Sequence, residues 1–180
     1  ILRRQMCRDF RKPLILMTPK SLLRHKLCVS PLEDFGPSTS FHRILWDHDR
    51  DDLAKPKDIK RVILCSGKVY YDLLQERRDR KIKNVTILRL EQLYPFPDVS
   101  LAEELKQYPN AQIIWCQEEP KNMGAWFFVE PEIEMVLTGL KHKAGRAQYV
   151  GRDAAASPAT GLLRNHNAQQ AALIDEALSL

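Results

Sequence analysis

Short, mostly apolar runs recur along the chain, and stretches with apolar positions three and four apart lie between them. Arg61-Val62-Ile63-Leu64-Cys65, Val85 to Leu90 and Ala111 to Cys116 have the length and β-branched content of strands buried on both faces. Pro13-Leu14-Ile15-Leu16-Met17, closed by Thr18-Pro19, reads the same way and is expected as the first strand. Arg146 to Val150 is expected as an edge strand. A helix is expected from Lys68, with Val69, Tyr70, Leu73 and Leu74 on one face and Glu76 paired to Arg80 on the other. Ser100-Leu101-Ala102-Glu103 has the spacing of a capping box and is expected to start a helix with Leu101 and Leu105 inward. A longer helix should follow Gly124, interrupted near Pro131. Asn165 or Asn167 is expected to cap a terminal helix that turns Ile174, Ala177 and Leu178 inward.

Strands alternating with helices predict an α/β domain: a mostly parallel five-stranded sheet with helices on both faces. One domain spanning 1–180 accounts for the pattern. Residues 1–12 read as the end of a preceding connecting helix, and Ser21 to Lys26 as a short helix. The stretch 30–60 reads as a surface excursion carrying the acidic cluster Asp47-His48-Asp49-Arg50-Asp51-Asp52 and one strand at Phe41 to Trp46. After Leu90, Tyr94-Pro95-Phe96-Pro97 forbids continued pairing, so the chain must leave the sheet there.

Composition narrows the class. With 44% hydrophobic and 28% charged residues the chain is that of a globular protein rather than a disordered or membrane-spanning one. Ile1-Leu2-Arg3-Arg4 lacks the apolar core of a signal peptide, and the chain reads as a piece of something larger. Cys7, Cys28, Cys65 and Cys116 are widely scattered, without zinc spacing or a disulfide framework, which points to a reducing compartment; Cys65 and Cys116, near strand ends, read as small buried hydrophobes rather than as a redox or nucleophilic pair. The net charge of +5 is uneven: residues 1–28 hold eight Lys or Arg against the single acid Asp9. This basic front has no aromatic interleaving and no nucleic-acid motif, so nucleic acid is not an expected partner. A phosphate-bearing ligand, acidic surfaces of the rest of the protein, or plain solvation all remain compatible with it.

The chemistry concentrates where strands end. Trp115-Cys116-Gln117-Glu118-Glu119-Pro120-Lys121-Asn122-Met123-Gly124 passes from a buried strand into polar groups and a turn, the place where ligands of open α/β sheets gather. Glu118 and Glu119 are adjacent, so a strand points them to opposite sides, and a helix cap or a subunit ion pair suits them better than paired acid–base work. Ser66-Gly67-Lys68 is either a turn that meets a phosphate at a helix N-terminus or a tight turn with a solvated lysine, since the full P-loop spacing is absent. No pair of histidines has metal spacing, and Asp47-His48-Asp49 reads as a solvated acidic loop. No catalytic constellation emerges, so no catalytic residue and no metal ligand is expected. Tyr94, Phe96, Trp126, Phe127 and Phe128 form an aromatic set expected mainly in the core, with a share at a dimer interface.

Several motifs in succession resemble one family. Phe10-Arg11-Lys12-Pro13-Leu14 leading to Thr18-Pro19-Lys20-Ser21-Leu22-Leu23-Arg24-His25, Cys65-Ser66-Gly67-Lys68-Val69-Tyr70-Tyr71-Asp72-Leu73, Glu91-Gln92-Leu93-Tyr94-Pro95-Phe96-Pro97, Trp115 to Trp126, and Gly151-Arg152-Asp153-Ala154-Ala155-Ala156-Ser157-Pro158-Ala159-Thr160-Gly161 look like the C-terminal end of the 2-oxoglutarate dehydrogenase first component. The resemblance implies a transketolase C-terminal-type domain of a homodimeric enzyme that decarboxylates 2-oxoglutarate in the tricarboxylic acid cycle and passes succinyl to the lipoyl group of a succinyltransferase. Dihydrolipoyl dehydrogenase completes that complex. Thiamine diphosphate and magnesium would be held by preceding domains, outside this chain. Some members bind acetyl-CoA or an adenine nucleotide as an effector, for which Thr18, Arg24, Ser66, Lys68, Gln117 and Arg152 are the candidates here. A bacterial cytoplasm is the expected location, with the mitochondrial matrix as the alternative. A first component preferring 2-oxoadipate, a decarboxylase releasing succinic semialdehyde, or a free-standing nucleotide- or CoA-binding module remain alternatives.

Overall fold

A computed structural model describes residues 1–180, the side chain of Arg3 excepted. Its sheet contains five strands, β1 (Ile44–Leu45), β2 (Arg61–Cys65), β3 (Val85–Leu90), β4 (Gln112–Pro120) and β5 (Gln148–Arg152), in the order β1-β3-β2-β4-β5. β2 to β5 are parallel, and β1 is an antiparallel edge. Two helices, α2 (Val69–Asp79) and α5 (Leu163–Leu178), cover one face, while α3 (Asp98–Leu105) and α4 (Trp126–Leu140) cover the other. A short α1 (Leu2–Met6) begins the chain.

Strand periodicity explains the two cores. Val62, Leu64, Leu88, Leu90, Ile113 and Trp115 pack toward α3 and α4. Their neighbours Ile63, Cys65, Val85, Ile87, Ile114 and Cys116 pack toward α2 and α5. Every second residue thus serves the opposite layer, which is why these strands read as continuous apolar runs. Each such side chain contributes about 1.5–3 kcal/mol when fully buried. The expected inward positions Val69, Tyr70, Leu73, Leu74, Leu101 and Leu105 are all buried, and Arg80 pairs with Glu76 at 2.7 Å.

The expected first strand does not form within the fold. Pro13 to Met17 lies outside the sheet without regular secondary structure, with Ile15 81% and Met17 93% exposed. A run apolar on both faces needs strand neighbours, and the sheet of this domain offers it none. The count of five is made up by β1, which lies inside the expected strand at Phe41 to Trp46. Ser21 to Lys26 becomes a 3-10 turn over Lys20–Arg24.

Helix boundaries differ from expectation at three places. α3 starts at Asp98, so Ser100 lies inside it and caps nothing. α5 starts at Leu163, which puts Asn165 and Asn167 inside the first turns instead of at the cap. α4 runs through Pro131 without a break, the proline falling early in the helix. β4 also continues past Cys116 to Pro120, with a register shift against β5 over the segment from Cys116 to Pro120.

The acidic excursion is not a solvated loop. Asp47 is 2% exposed and forms a two-pronged pair with Arg77 of α2, while its Oδ2 accepts the Ile87 N–H at 2.8 Å. Asp49 accepts from Arg77 at 3.0 Å and from both arms of Arg78 at 2.6 and 2.8 Å. The excursion is therefore riveted to α2 and to the outer edge of β3 by charge-assisted hydrogen bonds. Sequence periodicity carries no signal for a pair thirty residues apart.

Candidate functional site

Two connections leave neighbouring strands in opposite directions. From β2 the chain crosses through α2 to β3 on one side, and from β4 it crosses through α4 to β5 on the other. The carboxyl ends of β2 and β4 therefore flank the topological switch point of the sheet, where a crevice must open. A cleft of about 540 Å³ lies there, lined by Ser66, Gly67 and Lys68 after β2 and by Gln117, Glu118, Glu119, Gly124 and Ala125 along and after β4. Trp115, Leu93 and Phe128 supply apolar wall, and Pro19 closes one side.

Gln117 builds the β4 wall. Its Oε1 accepts Trp115 Nε1–H at 2.9 Å and the Trp126 N–H at 3.1 Å, while its Nε2 donates to the carbonyls of Met123 (2.7 Å), Pro120 (3.2 Å) and Glu119 (3.3 Å). One amide thereby ties the strand end, the turn and the first residue of α4 together. The turn closes at Gly124, whose φ is +67°, and a Cβ there would lie 2.9 Å from Gln117 Nε2. Both demands call for glycine.

Lys68 stands at the opposite wall beside the Gly67 turn. Its ammonium donates to Glu118 Oε1 at 2.6 Å and Asp72 Oδ2 at 3.1 Å. Burial pulls its pKa down, but the two carboxylates outweigh that and hold it above the usual lysine value. Gln170 of α5 donates to the same Asp72 and Glu118, each at 2.9 Å, and accepts from Arg152 at 3.0 Å. Arg152 also reaches His166 Nδ1 at 3.1 Å, and its Nε is buried without a partner. A continuous polar chain thus runs from the crevice to the terminal helix.

Of the six residues singled out from sequence, Ser66, Lys68 and Gln117 line the same cleft. Arg152 lies outside it and joins through Gln170. Thr18 adjoins the lining residue Pro19, and Arg24 sits exposed in the following 3-10 turn. The expected basic front is exposed at Arg4, Arg8, Arg11, Lys12, Lys20 and Lys26, and the Arg3 side chain lies outside the described residues. Glu118 pairs with Lys68 within the chain, and neither acid caps α4, whose first turn has no acidic residue. Asp72, His166 and Gln170 carry no such signal in the sequence: Gln170 meets residues 52 and 98 positions away, and nothing local announces it.

The cysteines at the strand ends are neighbours, Cys65 facing Cys116 across β2 and β4. Burial drives the Cys65 thiol well above its ordinary value and, with Glu118, pushes Cys116 up to about 12. Both remain protonated at neutral pH and act as core side chains, as expected, whereas Cys7 is exposed and Cys28 half-buried. The aromatic set divides. Trp126 is buried, but Tyr94 is 82% exposed and Phe127 and Phe128 also reach solvent, which corrects the expectation of a mainly core role. Among the described residues no helix is long and apolar enough to cross a membrane.

Residues 29–178 match the family described as 2-oxoglutarate dehydrogenase C-terminal. The 2-oxoglutarate dehydrogenase E1 component of Brucella anthropi is 58% identical over 184 residues, covering 99% of this chain and 18% of the relative. Those of Brucella ovis and Brucella canis are each 57% identical over the same shares. The chain spans 18% of the length of these curated relatives.

Proposed function

This chain belongs to the 2-oxoglutarate dehydrogenase C-terminal family, and on that premise we propose that it serves as the dimerising and regulatory C-terminal domain of a 2-oxoglutarate dehydrogenase E1 component. The 58% identity to the Brucella anthropi E1 component across 99% of the chain carries the reading. In it, the whole protein oxidatively decarboxylates 2-oxoglutarate and hands succinyl to lipoyl groups of a succinyltransferase, with dihydrolipoyl dehydrogenase as the further component. A bacterial cytoplasm is the setting that these relatives favour.

Thiamine diphosphate with magnesium supplies the decarboxylating chemistry in that reading, from outside this chain. Asp72 and Glu118 are both engaged by Lys68, and no group of three His, Cys, Asp or Glu side chains that could hold a metal gathers among the described residues. The crevice carboxylates do not fit a magnesium ion, since both are taken by Lys68. What they offer is a scaffold for the crevice and its polar chain.

The crevice is the regulatory site in this reading. The phosphates of acetyl-CoA or an adenine nucleotide would meet the backbone N–H groups of the Ser66-Gly67 turn and Lys68, at the start of an eleven-residue helix. Gln117 shapes the wall, Thr18 and Arg24 lie on the segment passing beside Pro19, and Arg152 responds through Gln170. The exposed Tyr94, Phe127 and Phe128 are the surface we assign to contact between protomers. Turnover of 2-oxoglutarate and 2-oxoadipate by the full-length protein tests the activity. Carbon dioxide release that depends on thiamine diphosphate and favours 2-oxoglutarate is expected, and its absence with that substrate would sink the reading.

A further inference from the structure

Residues 1–17 carry a series of exposed apolar side chains. Leu2, Met6, Phe10, Leu14, Ile15, Leu16 and Met17 all face solvent. Within this stretch Pro13 to Met17 is an apolar run of the kind that fills β2 in the core, yet its N–H and C=O groups make no backbone hydrogen bond among the described residues. Consecutive exposed apolar side chains on a backbone without hydrogen-bond partners are what the sequence of a central strand of a parallel sheet leaves when its neighbours are missing.

The rest of the segment is fastened to the domain. Pro19 lines the crevice, Leu22, Leu27 and Cys28 pack against the α2 and α5 core, and the His25 ring lies 5.2 Å from that of Tyr71. The free run therefore ends where the anchored strap begins, at Thr18-Pro19. The relatives match across 99% of this chain, the run included, and are more than five times as long. In them the run is continuous with polypeptide enough for further sheets.

We propose that Pro13–Met17 is a strand of a parallel sheet belonging to another domain of the same polypeptide, paired on both sides. The strap from Thr18 to Cys28 then crosses directly from that sheet to the crevice, which lies at a junction between two domains. Basic residues flanking the run, Arg11, Lys12 and Lys20, mark its two ends and meet that domain's surface. This holds whether or not the crevice binds an effector, and whichever 2-oxo acid the whole protein consumes.

Hydrogen exchange of the full-length protein, read by mass spectrometry, gives the test. Amides of Leu14 to Met17 should exchange at least about a hundredfold more slowly than an unpaired segment, approaching those of β2. Lysine cross-linking of a mixture of ¹⁴N- and ¹⁵N-labelled full-length protein identifies the partner. Lys12 and Lys20 should link to residues outside this chain's 180, and the linked peptides should be uniformly light or uniformly heavy. Ile15→Pro should restore fast exchange across the run while leaving β2 protected. Fast exchange in the unmodified protein would overturn the proposal, and so would mixed-isotope links, which would assign the strand's neighbours to a second copy.

Discussion

The side-chain carbonyl of Gln117 accepts the backbone N–H of Trp126 at 3.1 Å, so the end of β4 caps the first turn of α4. The same amide holds three carbonyls of the intervening turn. Replacing it by alanine leaves Trp115 Nε1 and the Trp126 N–H without their acceptor. Gln117→Ala should cost about 2–4 kcal/mol, read as a lowered unfolding midpoint. Gln117→Glu should be comparably harmful, because a carboxylate cannot donate to those carbonyls. An unchanged midpoint in both would refute the role.

Gly124→Ala should destabilise by about 2 kcal/mol, since alanine resists a φ of +67° and its Cβ meets Gln117. Combined with Gln117→Ala the two costs should not add, because the collision partner is gone. A thermal-unfolding double-mutant cycle checks this. Full additivity would mean that the two residues do not communicate.

Arg77→Met leaves the Asp47 carboxylate buried without its cation and should cost about 3–5 kcal/mol. Joining Asp47→Leu to it should recover part of the loss. Denaturant unfolding of the single and double variants distinguishes this from simple loss of packing, in which the second change would only add damage.

Asp49 titrates at about 2, mainly because Arg78 hydrogen-bonds its carboxylate, with burial opposing and Arg77 assisting. A lowered folded-state pKa means stability that is fully present above the ordinary aspartate value and lost as pH falls through about 2. The contribution is about 1 kcal/mol once solvent screening is allowed for. The difference in unfolding midpoint between the protein and Asp49→Asn should be largest at pH 5, shrink as pH falls through 2 and vanish only below it. A constant difference would refute the assignment.

Lys68 is already neutralised by Glu118 and Asp72, so an anionic effector must compete with them. In the full-length protein Glu118→Gln should tighten acetyl-CoA binding by about tenfold, and Lys68→Ala should weaken it by a similar factor, one salt-bridge's worth of free energy. Isothermal calorimetry reads both. If neither substitution moved the affinity, the proposal of an effector in this crevice would fail.

Much of this fold was legible because its strands carry their burial in their own residues. Val62 to Cys65 and Ile113 to Cys116 are apolar at every position, and both faces are covered, as such runs require. Pro13 to Met17 obeys the same rule and misleads for that reason: periodicity reports that a run wants neighbours, not which domain supplies them. At the crevice, Ser66, Lys68 and Gln117 were legible from their place at strand ends. Asp72, Gln170 and the Asp47–Arg77 pair were not, because they are joined by the sheet's crossings and not by any spacing along the chain.

The excursion from 30 to 60 has a consequence for how this protein behaves in concentrated solution. β3 would otherwise present an open edge, yet β1 covers Arg89 and Leu90, Asp47 takes the Ile87 N–H, and Arg77 takes the Val85 carbonyl at 3.1 Å. Side chains here do the work of a sixth strand. Loosening Asp47 would uncover an apolar edge ready to pair with the same edge of another molecule, so damage to the excursion should appear first as turbidity and filament formation, before the loss of any binding.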